Sequence, residues 1–95
     1  MFTFTNGEPA GHLQITRNVE ALQAPFAIAT LLRRHLDQDW GNISEPGIEI
    51  NNQHVKVLEG AMSCYTIDTM FGQTEVWIIT DNGHTTTTVM LPNDY

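Results

Sequence analysis

His35 and Asp39 stand four residues apart at the end of a helical pattern, a spacing that points two side chains the same way and can supply half of a metal site or an acid–base pair. Ser63, Cys64 and Tyr65 follow in an alternating stretch, so a hydroxyl and a phenol share one side of it. A small His/Asp-dependent or metal-dependent hydrolase would use His35 and Asp39 with Ser63 or Tyr65. The bland alternative is that His35 and Asp39 only close the helix, because one pair without a third and fourth ligand in pattern makes no metal site. His12, His54 and His84 show no ligand spacing. Cys64 lies off any strand-to-helix elbow and reads as a small buried hydrophobe. The run Thr85 to Thr88 reads as ordinary strand, with only alternate hydroxyls sharing a face.

No glycine-rich phosphate loop, paired-cysteine motif or basic aromatic patch occurs, so the sequence implies no cofactor and no resident metal. Eleven acids against four basic residues leave a net charge of −7. That charge opposes direct contact with nucleic acid or an anionic membrane, favours a partner with a basic surface, and also lies in the range that simple solubility requires. A single cysteine excludes an intrachain disulfide. No apolar run reaches the length of a membrane span, and the first residues lack the basic flank and apolar core of a signal peptide, so the expected location is cytoplasmic.

These residues need a scaffold, and 95 residues suffice for one domain with one core. Residues 1–11 alternate briefly and then break at Gly7, Pro9 and Gly11, giving an edge strand or, preferably, a mobile arm. His12 to Thr16 alternates as an edge strand, and Asn18 offers a cap for a short turn at Val19 to Leu22. A helix runs from Pro25 to Leu36, its apolar stripe formed by Phe26, Ala29, Leu32 and Leu36 with Ile28 and His35 beside them. Asp39-Trp40-Gly41 is the exit corner.

Residues 42–60 read two ways. Ser44-Glu45-Pro46 looks like a helix start, with Ile48, Asn52, Val55 and Leu58 or Glu59 on one face and Gly60 as a stop, whereas Ile48 to Ile50 and Val55 to Val57 alternate as strands do. The helix is the preferred assignment. Strands follow at Ala61 to Thr69 and Thr74 to Thr80, joined by Phe71-Gly72-Gln73, and Asn82-Gly83 suits a two-residue hairpin turn into a last strand that Pro92 ends. The expected fold is α+β: an antiparallel sheet of three to four strands with one or two helices packed on one face. Trp77 is expected to be a core anchor facing the helix; if it faces the other way, Ile78 takes that role and Trp77 becomes an interface residue.

The ordered series Arg34-His35, Asp39-Trp40-Gly41, Ser63-x-Tyr65, Trp77-Ile78-Ile79-Thr80, Thr87-Thr88, Leu91-Pro92 and Tyr95 resembles a family of small uncharacterised bacterial proteins encoded mostly on plasmids and other mobile elements. The resemblance spans roughly residues 11–95. Where the family pattern has acidic-x-Asp-Arg-Ser, this chain has Asp81-Asn82-Gly83-His84-Thr85, and the arginine that usually precedes Ser-x-Tyr is missing near Ala61-Met62. The resemblance implies a genomic setting, an accessory gene of a plasmid or phage. Taken with the acidic charge, it leads to a non-catalytic, stoichiometric binding protein that engages a basic host, defence or nucleic-acid-processing protein. Asp39, Trp40, Glu45, Glu49, Glu59 and Trp77 are its candidate binding residues. A homodimer formed by the exposed part of the sheet is the third reading.

Overall fold

The computed structural model describes residues 2–95. Strand β1 (His12–Ile15) leads through the single turn α1 (Arg17–Glu20) to helices α2 (Pro25–Leu36) and α3 (Glu45–Lys56), then to strands β2 (Ala61–Thr69), β3 (Gly72–Thr80) and β4 (Thr86–Met90) and a closing 3-10 turn, Pro92–Asp94. The architecture is α+β, a four-stranded sheet in the order β1-β4-β3-β2. Strands β2, β3 and β4 form an antiparallel meander, and β1 joins β4 in parallel. The sheet is therefore mixed, because the first strand lies beside the last.

Alternation decides the faces. Ala61, Ser63, Tyr65, Val76, Ile78, Thr80, Thr87 and Val89 are buried on one side, in register across the three strands. Helix α2 covers this side with Ile28 and Leu31, and α1 adds Val19. The expected stripe is rotated by one residue: Ile28, Leu31 and His35 face the sheet, while Phe26 is 88 % exposed. Two adjacent apolar stripes run along this helix, and the polar partners awaiting His35 on the sheet choose between them. Helix α3 forms as the capping signal predicts, with the Ser44 hydroxyl accepting from Gly47 N at 3.3 Å. It buries Asn51 and Val55, and the chain leaves it before Gly60, through Leu58 at φ +60°.

Three local expectations change. Residues 2–11 do not form a free arm: Phe4 and Ala10 are buried with Trp40, Val55 and Ala61 in a second core cluster. The cap of α1 is Thr16, whose hydroxyl accepts from Val19 N; Asn18 instead donates to Asp94 at 2.6 Å. The Asn82-Gly83 turn is wider than two residues, since Thr80 pairs with Thr87 and the positive φ values fall on Gly83 and His84. Asp81 closes this loop by accepting from the backbone N–H of Thr85 (2.8 Å) and Thr86 (3.0 Å) and from both hydroxyls. The tight turn occurs at Met70-Phe71, followed by Gly72 at φ +97°.

Candidate functional site

Helix α2 carries His35 onto the core face, where it is fully buried. Its Nδ1 meets the Ser63 hydroxyl and its Nε2 lies 2.9 Å from Thr80 Oγ1. Thr80 is 2.8 Å from Thr87 Oγ1, and Thr87 donates to the Ala10 carbonyl at 2.7 Å. That carbonyl can only accept, which orients the whole chain of bonds: Thr87 gives its proton to Ala10, Thr80 gives its own to Thr87, and Thr80 must accept from the His35 Nε2–H. Nδ1 is then the acceptor for Ser63. The network is satisfied by one neutral tautomer, and burial, aided by repulsion from His84, pushes the His35 pKa down to about 3. His35 is a structural keystone joining α2, three strands and the N-terminal segment.

His35 and Asp39 are not brought together. The helix ends at Leu36, Gln38 takes φ +62°, and Asp39 turns outward to Arg34, Oδ2 to Nε at 2.7 Å. That hydrogen bond holds the Asp39 pKa below its ordinary value. Tyr65 is buried, donates from its hydroxyl to the Asp39 carbonyl at 2.6 Å, and carries the Arg34 guanidinium 4.6 Å above its ring. Burial pushes its pKa up to about 12. Ser63 and Tyr65 therefore lie on the sheet face that meets His35, and all three side chains are buried. Among the described residues, no three His, Cys, Asp or Glu side chains are placed to hold a metal ion.

The exit corner serves the sheet. Gly41 bridges Cys64 in parallel at φ +75°, and a Cβ there would lie 2.2 Å from the Cys64 carbonyl, so only glycine fits. Trp40, a candidate binding residue, is instead core: it is 2 % exposed and donates from its indole to Asn52 at 2.8 Å. Glu45 and Glu49 are exposed one turn apart on α3, and Glu59 is exposed beside His54 at 3.1 Å.

Trp77 lies on the sheet face opposite α2, and Ile78 takes the fully buried position. The core-anchor expectation for Trp77 fails because the register puts Val76 and Ile78, not Trp77, in line with Tyr65 and Val89. Trp77 is flanked in register by Cys64 and Met90, with Met62 and Ile79 one row on. Its indole donates to Glu75 at 2.6 Å, and the Tyr95 ring stands edge-on at 5.8 Å. All of these strand side chains but Glu75, which is exposed, are half-buried. Cys64 thus faces the open side, and burial, with Glu75 nearby, raises its thiol pKa and leaves it a poor nucleophile. Asp68 has the same parity and adds a second acid to this face. Below Ile79 and Met62, a shallow hollow of about 370 Å³ reaches Ile50 and His54 of α3.

Alternation was the signal that could have located this face. The apolar residues of β3 at odd and even positions are equally prominent, so only the register could say which set is covered. Comparison of the chain with protein-family profiles, with curated proteins and with solved structures finds no match.

Proposed function

We propose that this chain is a non-catalytic binding protein, of the accessory kind that its resemblance implies, and that it docks a basic protein on the open sheet face around Trp77. The observation that carries this reading is a half-exposed aromatic and thioether surface, Trp77 with Cys64, Met90, Ile79 and Tyr95, that bears acids and lies on the face α2 does not cover. Aromatic residues and methionine are enriched in protein interfaces, and contiguous apolar surface rimmed by polar groups marks such sites. The rim here is acidic, with Glu75 and Asp68 on the face itself and most of the chain's other acids elsewhere on its surface. A partner of opposite charge would be steered by that field and held by the apolar centre.

His35, Ser63 and Tyr65 of the hydrolase alternative are buried in the core, and the Asp39 side chain is turned outward to Arg34, so binding is the reading that the geometry supports best. The test is capture from a bacterial lysate by immobilised wild-type chain, Trp77→Ser and the double variant Asp68→Lys/Glu75→Lys, each washed at low and high salt. A captured protein with a basic surface, lost in both variants and weakened by salt, is the expected result. Capture indifferent to both variants would reject this face.

A further inference from the structure

We infer that β1 is the seam of a symmetric homodimer, in which a second copy of this chain pairs its own β1 antiparallel to the first and extends the sheet to eight strands. This inference does not rest on the acidic face, which lies on another part of the sheet.

The two edges of the sheet are treated differently. Along the first half of β2 the outward backbone groups are occupied: Asn42 N donates to the Cys64 carbonyl at 2.7 Å, and Cys64 N donates to the Trp40 carbonyl at 3.1 Å. The Asn51 side chain stands in for a strand at Met62, donating to its carbonyl at 2.8 Å and accepting from its N–H at 3.4 Å. Beyond that cover the edge carries the exposed charge of Asp68, which blunts pairing.

Strand β1 has neither device. Bonds from His12 N to the Thr85 carbonyl and from Thr16 N to the Val89 carbonyl fix the even-numbered residues as the ones facing β4. The N–H and C=O groups of Leu13 and Ile15 therefore point away from the sheet. Their side chains lie on the core face, in register with Thr87 and Val89, yet are 42 % and 39 % exposed because α2 does not reach over them. Between them and the helices runs an apolar groove of about 520 Å³, lined by Leu13, Ile15, Val19, Ile28, Ala29 and Leu32.

Two observations make the occupant a second copy. The outward groups are self-complementary: with a two-fold axis through Gln14, Leu13 of each copy exchanges both backbone bonds with Ile15 of the other, and the two Gln14 residues face each other. Four outward groups are too few to hold a foreign strand firmly, whereas a second copy also brings its own apolar groove to bury against the first.

The experiment is sedimentation equilibrium over a concentration series for the wild type and Leu13→Lys, with circular dichroism of both. Leu13 is exposed in the single chain, so the lysine leaves the fold intact while placing a charge at the seam, the device by which natural edge strands avoid pairing. The wild type should reach about twice the 10.7 kDa chain mass, and Leu13→Lys should weaken association by about tenfold or more. A second measurement uses Gln14→Cys in a Cys64→Ser background. Directly opposed residues of a non-hydrogen-bonded antiparallel pair have Cα atoms about 4.5 Å apart, within the reach of a disulfide at roughly 4.4–6.8 Å. With oxidised glutathione as the electron acceptor, the two thiols lose two protons and two electrons and form one interchain S–S bond. Gln14→Cys should cross-link much faster than the same change at exposed Gln53 on α3. A wild-type chain that stays monomeric, a dimer unaffected by Leu13→Lys, or equal cross-linking at positions 14 and 53 would each overturn the inference.

Discussion

His35 shows how a residue that could do chemistry can be taken up by structure. Its neutral tautomer is fixed by a hydroxyl relay that ends on the Ala10 carbonyl, and its folded pKa of about 3 lies below the ordinary value of 6.5. The unfolded chain therefore binds the proton first, so the stabilisation is full above pH 6.5 and is lost as pH falls toward 3. Between pH 7 and pH 5, this group alone should cost about 2 kcal/mol of unfolding free energy. Urea denaturation at the two pH values checks this against His35→Gln, whose amide keeps a donor for Thr80. The variant should lose most of that pH dependence; an equal dependence in both proteins would place the proton uptake elsewhere. Arg34 and Asp39 look more conspicuous, but both are substantially exposed, and such pairs contribute little.

At the scale of elements, the helix and the turns give separate predictions. Leu31 faces the sheet and Phe26 faces solvent, so Leu31→Ala should cost about 2–5 kcal/mol, whereas Phe26→Ser should stay within about 0.5 kcal/mol of wild type. Thermal denaturation of both variants ranks them, and the reverse ranking would mean that the stripe through Phe26 is the one packed. Among the glycines, Gly83 is at φ +85° and a Cβ there would meet only the Thr85 methyl, at 4.0 Å, so Gly83→Val should cost chiefly the backbone strain, roughly 1–3 kcal/mol. Gly11, at φ +75°, is different, because a Cβ there would lie 2.2 Å from the Thr85 carbonyl. Gly11→Ala, though the smaller change, should destabilise more than Gly83→Val, and chemical denaturation giving the opposite order would show that the N-terminal segment can shift away from the β3–β4 turn.

For the molecule as a whole, the field matters more than any single acid. Glu45 and Glu49 are exposed and, among the described residues, form no salt bridge, so reversing both to lysine should leave the circular dichroism spectrum unchanged. Association with a basic partner should slow by severalfold, chiefly through the on-rate, and stopped-flow mixing at two salt concentrations reads that effect. An unchanged on-rate at low salt would assign recognition to the apolar centre around Trp77 alone. In the dimer inferred above, two such faces lie on one continuous sheet, and binding a repetitive or two-fold partner would then gain from effective concentration.

The sequence by itself determined the elements whose causes are local. Pro25 and the clustered basic residues marked α2, Ser44 marked the start of α3, and the alternation from Ala61 to Thr69 gave β2 with its faces correctly divided. These signals act within a few residues, through fixed φ, a capping oxygen or the pleat, so they can be read from a window of sequence. Tertiary structure alone decided which of two adjacent stripes of α2 is buried, that Ile78 rather than Trp77 faces the helix, and that Asp81 draws Thr85 and Thr86 into a wider turn. It also brought Phe4 and the Ala10 carbonyl, some 77 residues from Thr87, to complete the core and orient the His35 relay. Each of these outcomes is a choice between locally equivalent options, settled by partners that are distant in sequence and adjacent only after the sheet has formed.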